Sequence, residues 1–350
     1  ANSSKDGNDP RSHLHAPAQS SKLDVYPNGP RIMAVKHLLF LPALSVIAAC
    51  SLATDDSPRI EAERLSDIVK VLASDEFEGR APGTAGEQKT VAYLIQAFEK
   101  MGLEPGGENG GWTQSVPLFH TLIEDPPPVT MTIADEQLLF QQVTDLEVST
   151  VRPLQEVKIE SAPVVFVGFG VTAPERDWDD FGDIDLEGKV AVFLVNDPDF
   201  SAAPDEPVAG VFGNRRMTYY GRWTYKFEEA ARRGAIAALV IHETEAAGYG
   251  WNVASSSPGE NYSIVPAEDA DEPVTLQGWL HYAAATRLFE AAGLDLEEHR
   301  VAARSRDFEA FELPQVTFSA DLSVSVETIE SLNVLAKLPG TSRPDETIML

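Results

Sequence analysis

Seven histidines, a single cysteine, a Gly-x-Gly turn and one acidic run are the parts of this 350-residue chain whose types could do chemistry. A zinc site would need ligands at a spacing such as His-Glu-x-x-His, which sets two imidazoles on one helix face, and no such motif occurs. His13, His15 and His37 lie near the start, and His120, His242, His281 and His299 are far apart in sequence. They read as structural or surface side chains unless a fold gathers them. A Gly-x-Ser-x-Gly nucleophile turn is also absent. One cysteine excludes an intramolecular disulfide and any multi-cysteine metal centre.

Gly168-Phe169-Gly170-Val-Thr-Ala173 follows an apolar run and fits the loose dinucleotide pattern, with Glu187 at the distance of a ribose contact. That pattern must open a helix whose N-terminus faces pyrophosphate, whereas Pro174 and an acidic stretch come next. Asp177 to Glu187 could suggest a calcium loop. In EF-hand register from Asp177, however, Phe181 and Gly188 stand where positions five and twelve need oxygen ligands. A solvated loop is the simpler reading, with a weak calcium site as the alternative.

The elements that must carry these residues are legible from period and punctuation. Ser57 and Pro58 mark a helix start before the apolar stripe Leu65, Ile68, Val69 and Leu72. Thr84 and Glu87 form a capping box before Val91, Leu94, Ile95 and Phe98, and Gly102 closes that second helix. Beyond Trp112 the pattern turns to short strands, with Pro126-Pro127-Pro128 as a hinge. The apolar runs 163–168, 189–195 and 235–241 predict buried strands, and 222–233 and 277–292 predict helices ended by Gly234 and Gly293. Strict alternation from Val316 to Val326 predicts a half-buried strand. Leu332 to Leu338 and Thr347 to Leu350 predict two more, joined by a turn at Pro339 to Ser342.

The formal charge is −28, from 27 basic and 55 acidic residues, while 43% of residues are hydrophobic. General disorder is excluded, and so is a nucleic-acid surface, which needs concentrated positive charge. The first fifty residues differ from the rest: Lys5, Arg11, Lys22, Arg31 and Lys36 against Asp6, Asp9 and Asp24 leave them at +2 and the remainder at −30. A short basic start at Met33 to His37 precedes twelve residues, Leu38 to Ala49, interrupted only by Pro42 and Ser45. Twelve residues cannot span a bilayer, so this is a signal-peptide core. Ile47-Ala48-Ala49-Cys50 resembles the lipobox of bacterial lipoproteins, which makes Cys50 the lipidated first residue of the mature protein; the alternative is a lone buried thiol. Ser51 after it, by resemblance to Gram-negative sorting, implies export to the outer membrane or the periplasmic face, with Cys50 as the membrane contact.

The stretch Leu72-Ala-Ser-Asp-Glu-Phe-Glu-Gly-Arg-Ala-Pro-Gly-Thr-Ala-Gly-Glu87, continuing through Val91-Ala-Tyr-Leu to Met101-Gly-Leu-Glu-Pro-Gly106, resembles the N-terminal region of bacterial co-catalytic zinc aminopeptidases, relatives of aminopeptidase Y and glutamate carboxypeptidase. Val164 to Val195, with Lys226 to His242, is similar to the protease-associated domain inserted in many members. Ser331 to Gly340 and Glu346 to Leu350 resemble the return into the catalytic sheet. The resemblance implies an α/β fold: an incomplete peptidase domain with an inserted, mainly β protease-associated domain. It divides the chain into an upstream segment (1–32), a lipoprotein signal peptide (33–49), a linker (50–58), the front of a peptidase domain (59–150), the inserted domain (151–312) and return strands (313–350). It also implies two zinc ions and peptide substrates for a full-length parent, with the first ligands expected just after Leu350 and no catalytic or metal-binding residue in this chain. The rival reading is a non-catalytic surface lipoprotein whose protease-associated fold binds peptides or another protein.

Overall fold

The computed structural model describes residues 60–267 and 269–350. The signal peptide, Cys50, and the helix start at Ser57 and Pro58 lie outside them.

Helices α1 (Ala62–Leu72) and α2 (Ala85–Lys100) lead into strands β1 (Glu104–Pro105), β2 (Thr113–Ile123), β3 (Val129–Ile133), β4 (Glu136–Phe140), β5 (Leu146–Ser149) and β6 (Glu156–Phe166). Short strands β7 (Thr172–Ala173) and β8 (Trp178–Asp179) precede β9 (Val190–Leu194), α3 (Trp223–Arg232) and β10 (Ala237–His242). The chain continues through α4 (Thr244–Ala247), α5 (Trp251–Ala254), β11 (Glu260–Ile264), β12 (Leu276–His281), α6 (Tyr282–Ala291), α7 (Leu296–Ala302), β13 (Phe311–Val334) and β14 (Ala336–Lys337). The protein is mixed α/β.

Ten strands form one sheet, in the order β11-β2-β13-β6-β9-β10-β12-β5, with β3 and β4 added on β13. Its centre, β6-β9-β10-β12, is parallel. The flanking pairs β13–β6 and β12–β5 are antiparallel. The three predicted apolar runs are β6, β9 and β10, and their continuous burial follows from helices on both faces. Val164, Val192, Leu239 and Leu280 pack on one face with Leu288 and Phe289 of α6. Val165, Phe193, Val240 and Trp279 pack on the other with Phe227 and Ala230 of α3. The predicted alternation holds in β13, where Val316, Phe318, Ala320, Leu322 and Val324 are buried.

Three sequence expectations change. The helix predicted over 277–292 is a strand, β12, followed by α6: Gln277 to His281 complete the parallel sheet beside β10, and His281 caps the helix by accepting the Ala283 N–H at 3.3 Å. Gly278 permits this, since a Cβ there would lie 2.0 Å from the Glu147 carbonyl oxygen of β5. Thr347 to Leu350 form no strand and are exposed, since no strand among the described residues offers them a ladder. Leu332 to Leu338 divide between the end of β13 and the two-residue β14, which pairs with β1.

The capping box is present with one change of partner. Thr84 Oγ1 accepts the Glu87 N–H at 3.3 Å, while Glu87 Oε2 accepts from Gly83 rather than from the cap residue, at 2.6 Å. The other carboxylate oxygen accepts the Leu332 N–H at 3.3 Å and the Ser331 hydroxyl, tying α2 to β13. Upstream, the 3-10 turn Asp75–Arg80 folds over α2 so closely that a Cβ on Gly86 would sit 2.1 Å from the Phe77 carbonyl oxygen.

Phe318, fully buried where β13 meets both β3 and β6, tests this core. Phe318→Ala is expected to lower unfolding free energy by about 3–5 kcal/mol in urea titrations, and a change within experimental scatter would contradict the assigned packing.

Candidate functional site

The two outer edges of the sheet approach each other, joined by side chains instead of ladder bonds. Asn261 Nδ2 of β11 donates to Ser149 Oγ of β5 at 3.1 Å, and Ser263 Oγ donates to the Val151 carbonyl at 3.0 Å. Thr121 Oγ1 of β2 donates to the Thr150 carbonyl at 2.6 Å. A cleft opens along this seam under α3. Its outer compartment, about 480 Å³, is lined by Trp223, Phe227, Asn261, Pro273 and Gln277, with Glu228, Arg232, Asp271 and Glu272 among its charged residues. An inner compartment of about 160 Å³ shares Trp223, Phe227, Asn261 and Gln277 and reaches Glu147, Ser149, Glu260 and Trp279.

The aromatic wall follows from helical spacing. Trp223 and Phe227 are i and i+4 on α3 and meet at 5.7 Å, and Trp223 lies 6.4 Å from Trp279 of β12. The positive groups nearby are already engaged: Arg232 donates to Glu229 at 2.7 and 3.0 Å, and Arg152 donates to Glu272 at 2.6 Å.

Glu147 is 6% exposed and lies at the inner compartment. Burial pushes its carboxyl up to about 7, against the Gly259 N–H, which donates to Oε1 at 3.0 Å and pulls the other way. Its second oxygen has no hydrogen-bond partner among the described residues. The lining of the two compartments includes no His, Cys or Lys. The lining offers apolar walls, two amides, several hydroxyls, among them Ser149 and Thr224, and a carboxylate with one oxygen free of hydrogen-bond partners among the described residues.

Nothing in the sequence singled out Glu147. In Leu146-Glu147-Val148-Ser149 it looks like an alternating outward residue, and only Gly259, Trp279 and Gly278, more than a hundred positions later, enclose it.

The residues weighed in the sequence fall elsewhere. Gly168 and Gly170 have φ of 58° and 60°, and a Cβ on Gly170 would lie 2.3 Å from the Phe193 ring, so this turn is required by packing. The Gly170 N–H is taken by the Val167 carbonyl at 2.8 Å, and only the 3-10 turn Pro174–Arg176 follows. It forms no phosphate cradle. The acidic run is not simply solvated: Trp178, Asp180, Phe181 and Leu186 are buried, and Asp180 accepts the Val171 N–H and Trp178 Nε1–H at 2.9 and 2.7 Å.

His120 Nε2 lies 2.9 Å from Glu260 Oε1, with its ring stacked on Tyr262. His242 and His281 are cross-strand neighbours packing on Trp251, whereas His299 sits against Phe311. Among the described residues no group of three or more His, Cys, Asp or Glu side chains is arranged to hold a metal. The donors present therefore do not fit a zinc pair. No described helix is long and apolar enough to cross a membrane.

No family model and no curated relative matches the chain. Among solved structures it is similar to the aminopeptidase from Aneurinibacillus sp. strain AM-1, at 21% identity and a TM-score of 0.34. The likeness covers 81% of this chain and 50% of that one, so the chain spans about half the length of that structure. At this level it does not carry an activity across.

Glu147 supplies a pH test of the site. Its folded pKa is raised above the unfolded value, so its contribution to stability is fully present below about 4.5 and is lost as pH rises through about 7. Glu147→Gln keeps an oxygen acceptor for Gly259 and removes that loss. The variant should gain on the parent as pH rises from 4.5 to 8, by up to roughly 3 kcal/mol; parallel stability curves across this range would count against the assignment.

Proposed function

We propose that this chain is the front portion of an exported, lipid-anchored zinc aminopeptidase, in which the region carrying the cleft shapes access of peptide substrates to a catalytic part following Leu350. The observation that carries this reading is the uncovered apolar face beside the 72–87 motif. Among the described residues the stripe of α1 is poorly covered: Leu65 and Val69 are 52% and 60% exposed, Ile68 and Leu72 are only half-buried, and Met101 at the end of α2 is exposed too. Yet this region is built with care, through the Glu87 link to β13 and the close contact at Gly86. An amphipathic helix earns its stability by burying its stripe, so a well-specified helix pair with a bare stripe supports a domain whose remaining layers lie outside these residues.

The rival reading, a non-catalytic peptide- or protein-binding lipoprotein, draws support from the cleft itself, whose apolar walls, amides and carboxylates are groups that can bind a peptide. Metal analysis and peptidase assays separate the two. The 350-residue chain should hold no stoichiometric zinc and hydrolyse no aminoacyl-anilide, whereas a chain extended along its own coding sequence past Leu350 should do both and lose activity to a chelator. An extended chain without zinc or activity, or a coding sequence that stops at Leu350, would favour the binder.

The anchor is tested separately. Cys50→Ser should move the exported protein from the membrane pellet to the soluble fraction, because the acyl chains supply the membrane affinity. Unchanged pelleting would remove Cys50 as the attachment point.

A further inference from the structure

We propose that the seam cleft binds a primary ammonium group of a peptide, with Glu147 as its counter-charge and the Trp223–Phe227 wall holding the adjoining apolar part. This deepens the proposed function and rests on it for the peptide nature of the ligand, while its test needs no peptidase activity.

Three features converge on a cationic ligand. The first is the state of Glu147: the residue is 6% exposed, its Oε1 accepts the Gly259 N–H, and its Oε2 has no hydrogen-bond partner among the described residues but stays accessible from the inner end of the cleft. A buried carboxylate is costly unless paired, and no cation of this chain among the described residues lies within salt-bridge distance of it. The second is the sign of the cleft. Glu147, Glu228, Glu260, Asp271 and Glu272 line its two compartments, and the one basic lining residue, Arg232, is held by Glu229.

The third is shape. The inner compartment, about 160 Å³, has room for roughly five waters at about 30 Å³ each, which suits an ammonium and a few methylenes. The larger outer compartment, walled by Trp223, Phe227 and Pro273, suits the apolar remainder. Aromatic faces also attract an ammonium directly. Asn261 and Gln277, at the junction of the compartments, can bond a peptide group passing between them.

Other titratable groups face this region with partners of their own. Glu260 of β11 is paired with His120, Glu228 of α3 accepts from the Tyr219 hydroxyl, and Glu272 is held by Arg152. Asp271 lines the outer compartment, and His242 of β10 packs on Trp279, with burial holding its pKa down. Glu147 is thus the group at the inner end whose titration a bound cation would most directly oppose.

The ammonium could be a lysine side chain or a chain terminus, and calorimetric titration of the 350-residue chain distinguishes them. The probes are Nα-acetyl-lysine amide, phenylalaninamide and N-acetyl-phenylalaninamide. At least one of the first two should bind ten or more times more tightly than the third, and Glu147→Gln should abolish that difference. A bound lysine probe, charged throughout, should weaken about tenfold from pH 8 to pH 6 as Glu147 protonates. Phenylalaninamide, whose own amine loses its proton near about 7.7, should instead bind best around neutrality.

Trp223→Ala, at a half-exposed position, should weaken binding and leave its pH dependence intact. Absence of binding by all probes, equal binding of the acetylated probe, or full affinity in Glu147→Gln would overturn the proposal. Failure of an extended chain to hydrolyse peptides would bear on the proposed function alone.

Discussion

The ammonium of Lys226 is the interaction on which the arrangement of the sheet and its cleft depends. It is fully buried and donates to the carbonyls of Phe169 and Asn196, at 2.5 and 3.1 Å, so one side chain from α3 closes the C-terminal ends of both β6 and β9. Asp180 and Asp197 supply the opposing charge; burial pushes Lys226 down and both carboxylates up, and their mutual attraction resists each shift. Asp197 also accepts from Thr218, and Asn196 donates to the Ala246 carbonyl at 2.7 Å, which brings the long 197–221 connection and α4 into the same network. A buried ion cluster of this kind is weak evidence of stability, but removing one member strands the others. Its structural effect is to fix how α3 is rotated. With Lys226 turned into the sheet, the Trp223 and Phe227 stripe can lie only along the seam.

How much of this was legible in the sequence depends on whether the signal is local. Continuous apolar runs and the Thr84–Glu87 box are local, and they become β6, β9, β10 and the start of α2. The 277–292 segment misleads because Trp279, Leu280 and Ala283 also fit a helical stripe; the decision for a strand is made by β10 on one side and β5 on the other. Thr347 to Leu350 show the converse, an apolar run with no strand to pair with among the described residues. The acidic run conceals Asp180, whose burial beside Lys226 depends on residues some fifty positions apart in sequence. The same limit hides the cleft. No spacing rule links Glu147 to Gly259, or Asn261 to Ser149, because the two sheet edges that carry them meet only after every strand between has found its place.

Charge follows the same division between local and distant. Among the described residues most acidic side chains lie on the surface. A smaller part is turned inward: Asp180 and Asp197 around Lys226, Glu229 against Arg232 and Arg233, Asp199 under the Phe212 and Asn214 N–H groups, and Glu147 under Gly259. The first group has its cation within the fold. Glu147 has none among the described residues, so it differs in character from the pair around Lys226: that pair is a closed structural joint, and Glu147 lines a cleft.

The longest strand has a mechanical meaning. β13 runs for 24 residues, with register irregularities against β6 between Glu312 and Thr317 and between Phe318 and Ala320; its first part is bonded to β6 and β3 and its later part to β2, while Ser331 and Leu332 near its end hold Glu87 of α2. Tension applied along this strand, from the side where Leu350 lies, loads eleven residue pairs with β2 at once. Such a ladder sheared lengthwise shares the load among its rungs, whereas a zipper opens them one by one. The strand thus acts as a tie rod that links α2, through Glu87, to the central sheet.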